Sequence, residues 1–238
     1  MNQTVMVVAP HPDDESIGCG GTICLHREHG DRLHIVFLTS GERGIDGVSG
    51  ETARSIRESE AKKAGEVLKV KRIDFLRLPD LGLSEDIELG AQRLWGILEA
   101  QPPDVIYLPH PDESHPDHQA ALPIVRAALA RFSDRSKLPE LRLYEVWSPM
   151  TRYDWCEDIS LFIRQKLAAV RCYESQIRSF RYDRAIRGLN QYRGYMAAGS
   201  HYAEVFRWVD PNPSEGTRYQ AMAGEGMTHE KMRYFQRG

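Results

Sequence analysis

The stretch that decides the fold is TVMVVAPHPDDESIGCGG, residues 4–21. It starts with a near-continuous apolar run and passes through a loop of two prolines, a histidine and three carboxylates into a glycine-rich segment. A short apolar run without polar alternation is typical of a strand covered on both faces, so we predict a strand at Val5–Val8. Gly18–Gly21 do not form a G-x-G-x-x-G motif. We therefore expect these glycines to let the first helix pack closely on the sheet.

Similar apolar runs recur along the chain and alternate with segments of helical period. The predicted strands are Val5–Val8, His34–Leu38, Ile73–Leu76, Val105–Leu108 and Leu141–Trp147. The apolar positions of Glu85–Gln101 form one stripe along a predicted helix, and Ser84 is expected to be the N-cap of this helix. This alternation predicts an α/β fold, a Rossmann-like and mainly parallel β-sheet with helices on both faces. The functional site of such a sheet lies at the carboxyl ends of its strands.

The composition is that of one globular domain. With 41% hydrophobic and 27% charged residues in 238, the chain can hold a large core, which excludes a fibrous or disordered protein. We predict a single domain over residues 1–238, with residues from about 210 to 238 as a C-terminal appendage. A net charge of −3 provides no global field for nucleic acid. The sequence shows no signal peptide, no membrane span and no C-x-x-C pair, which predicts a cytoplasmic protein.

Two loops at predicted strand ends concentrate the chemistry. The loop after the first strand contains His11, Asp13, Asp14 and Glu15, and residues 109–118 add three histidines and three acidic residues. Imidazole and carboxylate groups are the ligands of a catalytic Zn²⁺ or a similar metal. The simpler alternative is that these acidic loops cap helix N-termini. His26 and His29 have the same H-x-x-H spacing, but we expect them on a solvated helix face.

These motifs resemble the PIG-L/LmbE family of zinc-dependent N-acetylglucosaminyl deacetylases. The resemblance rests on Ala9–Gly21 and on HPDHQA at His115–Ala120, two signatures that are specific together. Weaker matches extend it over roughly residues 4–208. They are TSGERG at Thr39–Gly44, Arg57 with Glu60, the segment Asp158–Ser160 followed by Lys166, Tyr173, Ser175 and Gln176, and finally Glu204 with Phe206.

The resemblance implies a role for each residue of the two signatures. His11, Asp14 and His118 would bind the metal, which would be Zn²⁺, with Fe²⁺ or another divalent transition metal as alternatives. Asp13 would be the general base that takes a proton from the metal-bound water. His115 would stabilise the oxyanion, and Asp117 would be its orienting partner. A carboxylate beside His115 is expected to raise the pKa of this histidine and keep it charged.

Three further residues are predicted to bind substrate. They are Arg57, Glu42 and Arg43. For Arg57 two interpretations stay open. It either pairs with Glu60, one turn away on the same helix, or binds a sugar hydroxyl or an anionic aglycone.

The leading hypothesis is therefore a metal-dependent hydrolase that removes the N-acetyl group from an N-acetylglucosamine-type sugar conjugate. A close alternative is the same site acting on another amide or ester. An alternative of another class is a non-catalytic Rossmann-like module that binds a nucleotide or sugar. The expected partner is a small amino-sugar conjugate, with no nucleic acid and no membrane span. The resemblance also allows a homo-oligomer, a trimer or hexamer.

Overall fold

The structure, a computed structural model, describes residues 2–212. The predicted appendage, about residues 210–238, lies outside the described residues from position 213 onward. The strands are β1 Thr4–Ala9, β2 Arg32–Thr39, β3 Arg72–Leu78, β4 Val105–Pro109, β5 Glu140–Tyr144, β6 Trp155–Asp158 and β7 Ala203–Val209. The α-helices are α1 Asp14–Glu28, α2 Gly50–Leu68, α3 Ile87–Ala100, α4 Pro116–Leu129, α5 Ile163–Val170, α6 Glu174–Ser179 and α7 Tyr182–Arg193. The predicted α/β class is confirmed.

The strands form one sheet in the order β3-β2-β1-β4-β5-β7-β6. The first five of these strands are parallel, whereas β7 runs antiparallel to both β5 and β6. From β1 the chain winds outward to β2 and β3, then returns to place β4 on the other side of β1. The loops after β1 and β4 therefore leave the sheet at its topological switch point, where doubly wound sheets bind their ligands.

Each face of the sheet carries its own apolar core. Consecutive residues of β1, such as Met6 and Val7, belong to opposite cores because successive side chains of a strand point to opposite faces of the sheet. One core packs the sheet against α1, α2 and α5, and the other packs it against α3 and α4. Both faces are thus covered, which explains why the central strands read as continuous apolar runs.

Some local details differ from the sequence prediction. Strand β5 ends at Tyr144, so Trp147 lies in the following loop rather than in the strand. Helix α3 is capped by the side chain of Asp86, which accepts from the Leu89 backbone N–H, and not by Ser84. The close packing expected of the first helix is confirmed, because a side chain at Gly18 would overlap the Tyr144 ring of β5. Among residues 2–212, the helices are all too short or too polar to span a membrane.

Candidate active site

A cavity of about 230 Å³ opens at the carboxyl ends of β1 and β4. It is lined by His11, Asp13, Asp14, Arg43, Gly44, Arg57, Asp80, Leu81, His115, Trp147 and Gln176. The loops after β1, β2, β3 and β4 all contribute to this lining, as the sheet topology predicts. Of the predicted site residues, the cavity brings together His11, Asp13, Asp14, His115, Arg43 and Arg57.

Three side chains converge at the floor of the cavity. His11 Nδ1 lies 3.3 Å from Asp14 Oδ2 and 3.3 Å from His118 Nε2, and the last two atoms are 3.2 Å apart. Ligand bonds of about 2.0–2.1 Å at tetrahedral angles separate ligand atoms by about 3.3 Å, so this triangle has the dimensions of a zinc site. Asp14 Oδ1 is buried without a hydrogen-bond partner. The donor set and its spacing therefore fit a divalent metal.

The electrostatics of these three residues also favour a positive charge between them. Burial opposes the charged form of His118, but the Asp14 charge outweighs it and raises the pKa of His118 to about 9. Burial opposes the charge of His11 too, yet close contacts with three carboxylates, of which Asp117 has the largest influence, raise its pKa well above the usual value. Burial would raise the pKa of Asp14, but the two imidazolium groups hold it well below its usual range. A bound cation would supply positive charge beside these carboxylates in place of the two imidazole protons.

A carboxylate lies behind each ring of the triangle, hydrogen-bonded to His11 and farther from His118. Asp117 Oδ2 lies 3.1 Å from His11 Nε2, and its two oxygens also accept the backbone N–H groups of Leu81 and Leu83. Glu113 Oε2 faces His118 Nδ1 at 3.6 Å, beyond hydrogen-bond distance, and the two Glu113 oxygens are held by three backbone N–H groups of the loop after β5. Such outer carboxylates fix the tautomer of a ligating histidine.

The structure corrects the prediction for Asp117 and for the charge of His115. The Asp117 carboxylate contacts His11, not His115. His115 is the N-cap of α4, and its Nδ1 accepts the Asp117 backbone N–H at 3.2 Å. An accepting Nδ1 leaves the ring proton on Nε2, so His115 is neutral. Burial, together with the positive charges of His11 and His118, lowers its pKa instead of raising it.

Asp13 is buried beside the triangle in a strained backbone conformation, with φ 133° and ψ −27°. Its Oδ1 accepts from Arg57 Nη2 at 3.2 Å, and its Oδ2 accepts from the Tyr182 hydroxyl at 3.0 Å. Burial raises the pKa of Asp13 to about 6, although the Arg57 charge counteracts it. A carboxyl group that lines a cavity and has a pKa close to neutral pH has the properties of a general base.

Arg57 pairs with Asp13 rather than with Glu60. Besides Asp13, it donates to the carbonyl oxygens of Pro12 and Gly41. Gly41 has a positive φ of 61° and lies against the guanidinium, so a side chain there would displace Arg57. Glu60 instead accepts from the backbone N–H and hydroxyl of Ser175. Of the two interpretations left open for Arg57, the pair with Glu60 is wrong, because Arg57 reaches the β1 loop.

The other two predicted substrate residues differ in position. The exposed Arg43 lines the cavity. Glu42 does not line it, because its carboxylate accepts the Asp80 backbone N–H at 3.0 Å. Asp80 was missed, although it lies in a loop that follows a predicted strand end. Its Oδ1 is 3.2 Å from His11 Nε2, so Asp80 and Asp117 with His11 form a second group of potential metal ligands. His115 with His11 and His118 forms a third.

Together, the fold and this cavity define an α/β protein with a histidine–carboxylate centre at the switch point of a doubly wound sheet. Comparison with known proteins identifies the family. The sequence profile of the PIG-L family, described as GlcNAc-PI de-N-acetylase, matches residues 6–129, just over half of the chain. The chain belongs to this family, as the signature motifs indicated.

Individual relatives support the assignment over most of the length. The chain is 31% identical to diacetylchitobiose deacetylase of Thermococcus kodakarensis over 226 residues, covering 86% of this chain and 82% of the relative. It is 29% identical to a probable N-acetyl-alpha-D-glucosaminyl L-malate deacetylase 2 of Bacillus cereus, covering 74% and 84%. The solved N,N'-diacetylchitobiose deacetylase of Pyrococcus horikoshii superposes with a TM-score of 0.77 at 27% identity, covering 90% of this chain and 88% of that one.

Proposed function

We propose that the protein is a metal-dependent N-deacetylase that hydrolyses the acetamido group of an N-acetylglucosamine-type conjugate. The observation that carries this proposal is the His11–Asp14–His118 triangle with the Asp13 carboxylate beside it; His11, Asp13 and Asp14 line the cavity, and His118 is buried against them. Relatives that are named as deacetylases of amino-sugar conjugates supply the reaction and the substrate class.

The triangle is the proposed metal site. His11 Nδ1, Asp14 Oδ2 and His118 Nε2 would hold Zn²⁺, with Fe²⁺ or another divalent transition metal as alternatives, since imidazole and carboxylate accept all of them. When bound, such a metal supplies Lewis acidity and makes water a better nucleophile at neutral pH. The alternative groups are less suitable. Both Asp117 oxygens accept backbone N–H groups, whereas Asp14 accepts one on Oδ2 and keeps Oδ1 without a partner, and His115 Nδ1 is occupied as an N-cap.

Asp13 is the proposed general base. Its carboxylate would accept a proton from the attacking water and deliver it to the amine nitrogen as the amide C–N bond breaks. Arg57 and Tyr182 hold its two oxygens, so the carboxylate is oriented before substrate arrives. Because Asp13 pairs with Arg57 and does not belong to the triangle, it remains available for proton transfer.

His115 is the proposed oxyanion donor. Its neutral ring carries the proton on Nε2, and the ring lines the cavity next to His11 with ring centroids 4.7 Å apart. A hydrogen bond from Nε2 to the former amide oxygen would strengthen as negative charge develops there. One donor of this kind is typically worth about 3–4 kcal/mol of transition-state stabilisation.

Asp80, Arg43 and Arg57 are the proposed substrate contacts. The single Nε2–H of His11 faces both Asp117 at 3.1 Å and Asp80 at 3.2 Å, and Asp117 is the hydrogen-bonded partner. The Asp80 oxygen is therefore left as an acceptor that a sugar hydroxyl can satisfy. Arg43 lies at the exposed edge and would contact the aglycone. The cavity, at about 230 Å³, is small for a whole conjugate, so the reacting sugar would enter it and the aglycone would extend toward its open edge.

The experiment is to measure acetate released from N,N'-diacetylchitobiose and a panel of N-acetylglucosamine conjugates, in parallel with the metal content of the purified protein. We expect one metal per chain and chelator-sensitive acetate release that Zn²⁺ or Fe²⁺ restores. His118→Ala should lose both metal and activity. Metal binding with turnover of only other amides or esters would redirect the substrate assignment. Sugar binding without turnover would favour a binding module, and a protein that retains no metal would refute the proposal.

The cellular context is proposed on the same basis. A small amino-sugar conjugate as substrate agrees with a cytoplasmic location and with the absence of a nucleic-acid partner, as predicted from the net charge of −3. Trimer or hexamer formation stays a prediction, which the molar mass in solution would test.

A further inference from the structure

Tyr182 contacts the proposed base from a distant part of the chain. It is the first residue of α7 and is buried, with 3% of its surface exposed. Its hydroxyl donates to Asp13 Oδ2 at 3.0 Å, across 169 residues of sequence. Neither of the two signature motifs contains this residue, and it does not line the cavity.

Helix α7 is anchored at both ends, so the position of Tyr182 is well determined. At the start of α7, Asp183 is buried and accepts from Arg171 and Arg181. At its end, Arg193 forms a buried ion pair with Glu145 at 2.7 Å. Both anchors join α7 to other elements, one to the end of α5 and one to the loop after β5. The helix therefore presents the Tyr182 hydroxyl from a fixed support.

The Tyr182 ring is also held from the side of the cavity. The Trp147 ring packs edge-on against it, with ring centroids 5.4 Å apart. Trp147 lines the cavity, and its backbone N–H donates to Glu113 behind His118. Tyr182 is thus packed between the cavity wall and the base.

Arg57 creates the need for such a support. Its Nη2 donates to Asp13 Oδ1, while its buried Nε has no hydrogen-bond partner. Nε lies on the same edge of the guanidinium as Nη2, and a carboxylate prefers to bind such an edge with both oxygens. Without another donor, the Asp13 carboxylate would turn its second oxygen toward Arg57 Nε. The Tyr182 hydroxyl competes for that oxygen.

We infer that Tyr182 is a positioning residue for Asp13, whose hydroxyl keeps Oδ2 from pairing with Arg57 and directs the carboxylate toward the reacting water. This inference rests on the proposed function, because it assumes that Asp13 acts as the base. It assigns Tyr182 no contact with substrate or metal. Loss of the Tyr182 hydroxyl should therefore slow the chemical step and leave the binding of substrate and metal unchanged.

The test is Tyr182→Phe, which removes one oxygen atom and keeps the ring. We expect kcat to fall roughly tenfold to hundredfold, as for the loss of a hydrogen bond to a charged group. KM should stay within about twofold, and the metal content should equal that of the wild type. The matched control is Tyr107→Phe. The Tyr107 hydroxyl is also buried in a polar network, with His26 and Arg142, but none of these residues lines the cavity. This control should keep the wild-type kcat.

A double-mutant cycle with Asp13→Asn separates positioning from a general structural effect. If Tyr182 acts through Asp13, adding Tyr182→Phe to Asp13→Asn should cause no further loss of the residual rate. A full additional loss in the double variant, an unchanged kcat in Tyr182→Phe, or a loss of metal would each overturn the inference while leaving the proposed function intact. A wild-type protein that releases no acetate would instead refute the proposed function, and the positioning role with it.

Discussion

Helix α1 contacts buried charged groups at two places, its middle and its N-terminus, and the charges are satisfied differently at each. In its middle, the Glu204 carboxylate accepts from the backbone N–H groups of Gly21 and Thr22, from the Thr22 hydroxyl and from Lys166 Nζ at 2.6 Å. At its N-terminus, three consecutive carboxylates, Asp13–Glu15, are buried together. There Asp14 Oδ1 has no partner, and the Asp13 backbone is strained.

The difference distinguishes a structural cluster from a reactive one. Around Glu204 the charges balance and both carboxylate oxygens are satisfied, so the cluster has nothing to offer a ligand. At the N-terminus, one oxygen of Asp14 has no hydrogen-bond partner, and Asp13 and Asp14 line a cavity. Breaking the cluster around Glu204 should therefore lower the free energy of unfolding, whereas changing the N-terminal cluster should lower the reaction rate.

The largest expected effect is on chemistry, from Asp13→Asn. The variant keeps the shape of the side chain but cannot accept the proton, so kcat should fall about 10²–10⁴-fold. Metal content and thermal unfolding should stay near wild type. Acetate release, metal analysis and a melting curve on the same preparation check this. An Asp13→Asn protein with wild-type turnover would show that the two clusters do not differ in the proposed way.

The next effect is on stability, from Glu204→Gln. It leaves the fully buried Lys166 ammonium without its counter-charge, and removing one partner of a buried pair costs about 3–5 kcal/mol. Urea unfolding measures this loss, while turnover per folded molecule should change little. As a control, adding Lys166→Met should recover part of the stability, because no unpaired charge then remains. An equal loss in the double variant would contradict the ion-pair explanation.

The third effect is a pH dependence that belongs to the N-terminal cluster. Burial raises the pKa of Glu15 to about 7, despite hydrogen bonds from Ser16 and Tyr173. Between its usual value of 4.5 and about 7, the folded protein holds a proton that the unfolded chain has released. The free energy of unfolding should therefore fall as pH rises through this window, by roughly 1–3 kcal/mol.

Urea unfolding of the metal-free protein at about pH 5 and pH 8 measures this slope, since a bound cation would itself lower the pKa of Glu15. Asp13 and His118 also have raised pKa values and contribute slopes of the same sign, so Glu15→Gln, which cannot ionise, should remove only the Glu15 share of the slope. If Glu15→Gln keeps the full pH dependence, the cause lies in another group.

The smallest effect concerns the strain at Asp13. Glycine adopts a φ of 133° freely, whereas alanine there should cost about 1 kcal/mol or more. We expect Asp13→Gly to be more stable than Asp13→Ala, by about 1 kcal/mol. Thermal unfolding of the two inactive variants makes the comparison. The usual order at an unstrained position is the reverse, so a more stable Asp13→Ala would show that no strain is stored.

The positions of site residues at strand ends could be predicted from the sequence. The side-chain partners that come from distant parts of the chain could not. His11, Asp13 and Asp14 follow one apolar run and His118 follows another, so strand ends in a parallel sheet sufficed to bring them together. The partner of Asp117 was wrong because it is set by His11, 106 residues away. His26, expected in solvent, is buried because Asp31 and Tyr107 bind its two ring nitrogens.

One of the two antiparallel strands had a weak sequence signal. Strand β6, with the sequence WCED, has two acidic residues and no apolar run, and its pairing with β7 comes from the fold rather than from its own composition. Trp147 was assigned to a strand because an apolar run does not reveal where its hydrogen-bonded part ends. Tyr182 had no signal, since its importance lies in one contact with Asp13.

The placement of Tyr182 on α7 has a consequence for how members of such a family can diverge. The proposed ligands and base all lie within residues 6–129, the segment that matches the family profile, while α7 and the Trp147 loop lie beyond it. If Tyr182 positions Asp13 as proposed, the proposed ligands and base belong to one part of the chain, and a residue that adjusts the base belongs to the next. Exchanging the second part between relatives should therefore alter rates and preferences while keeping the proposed metal ligands.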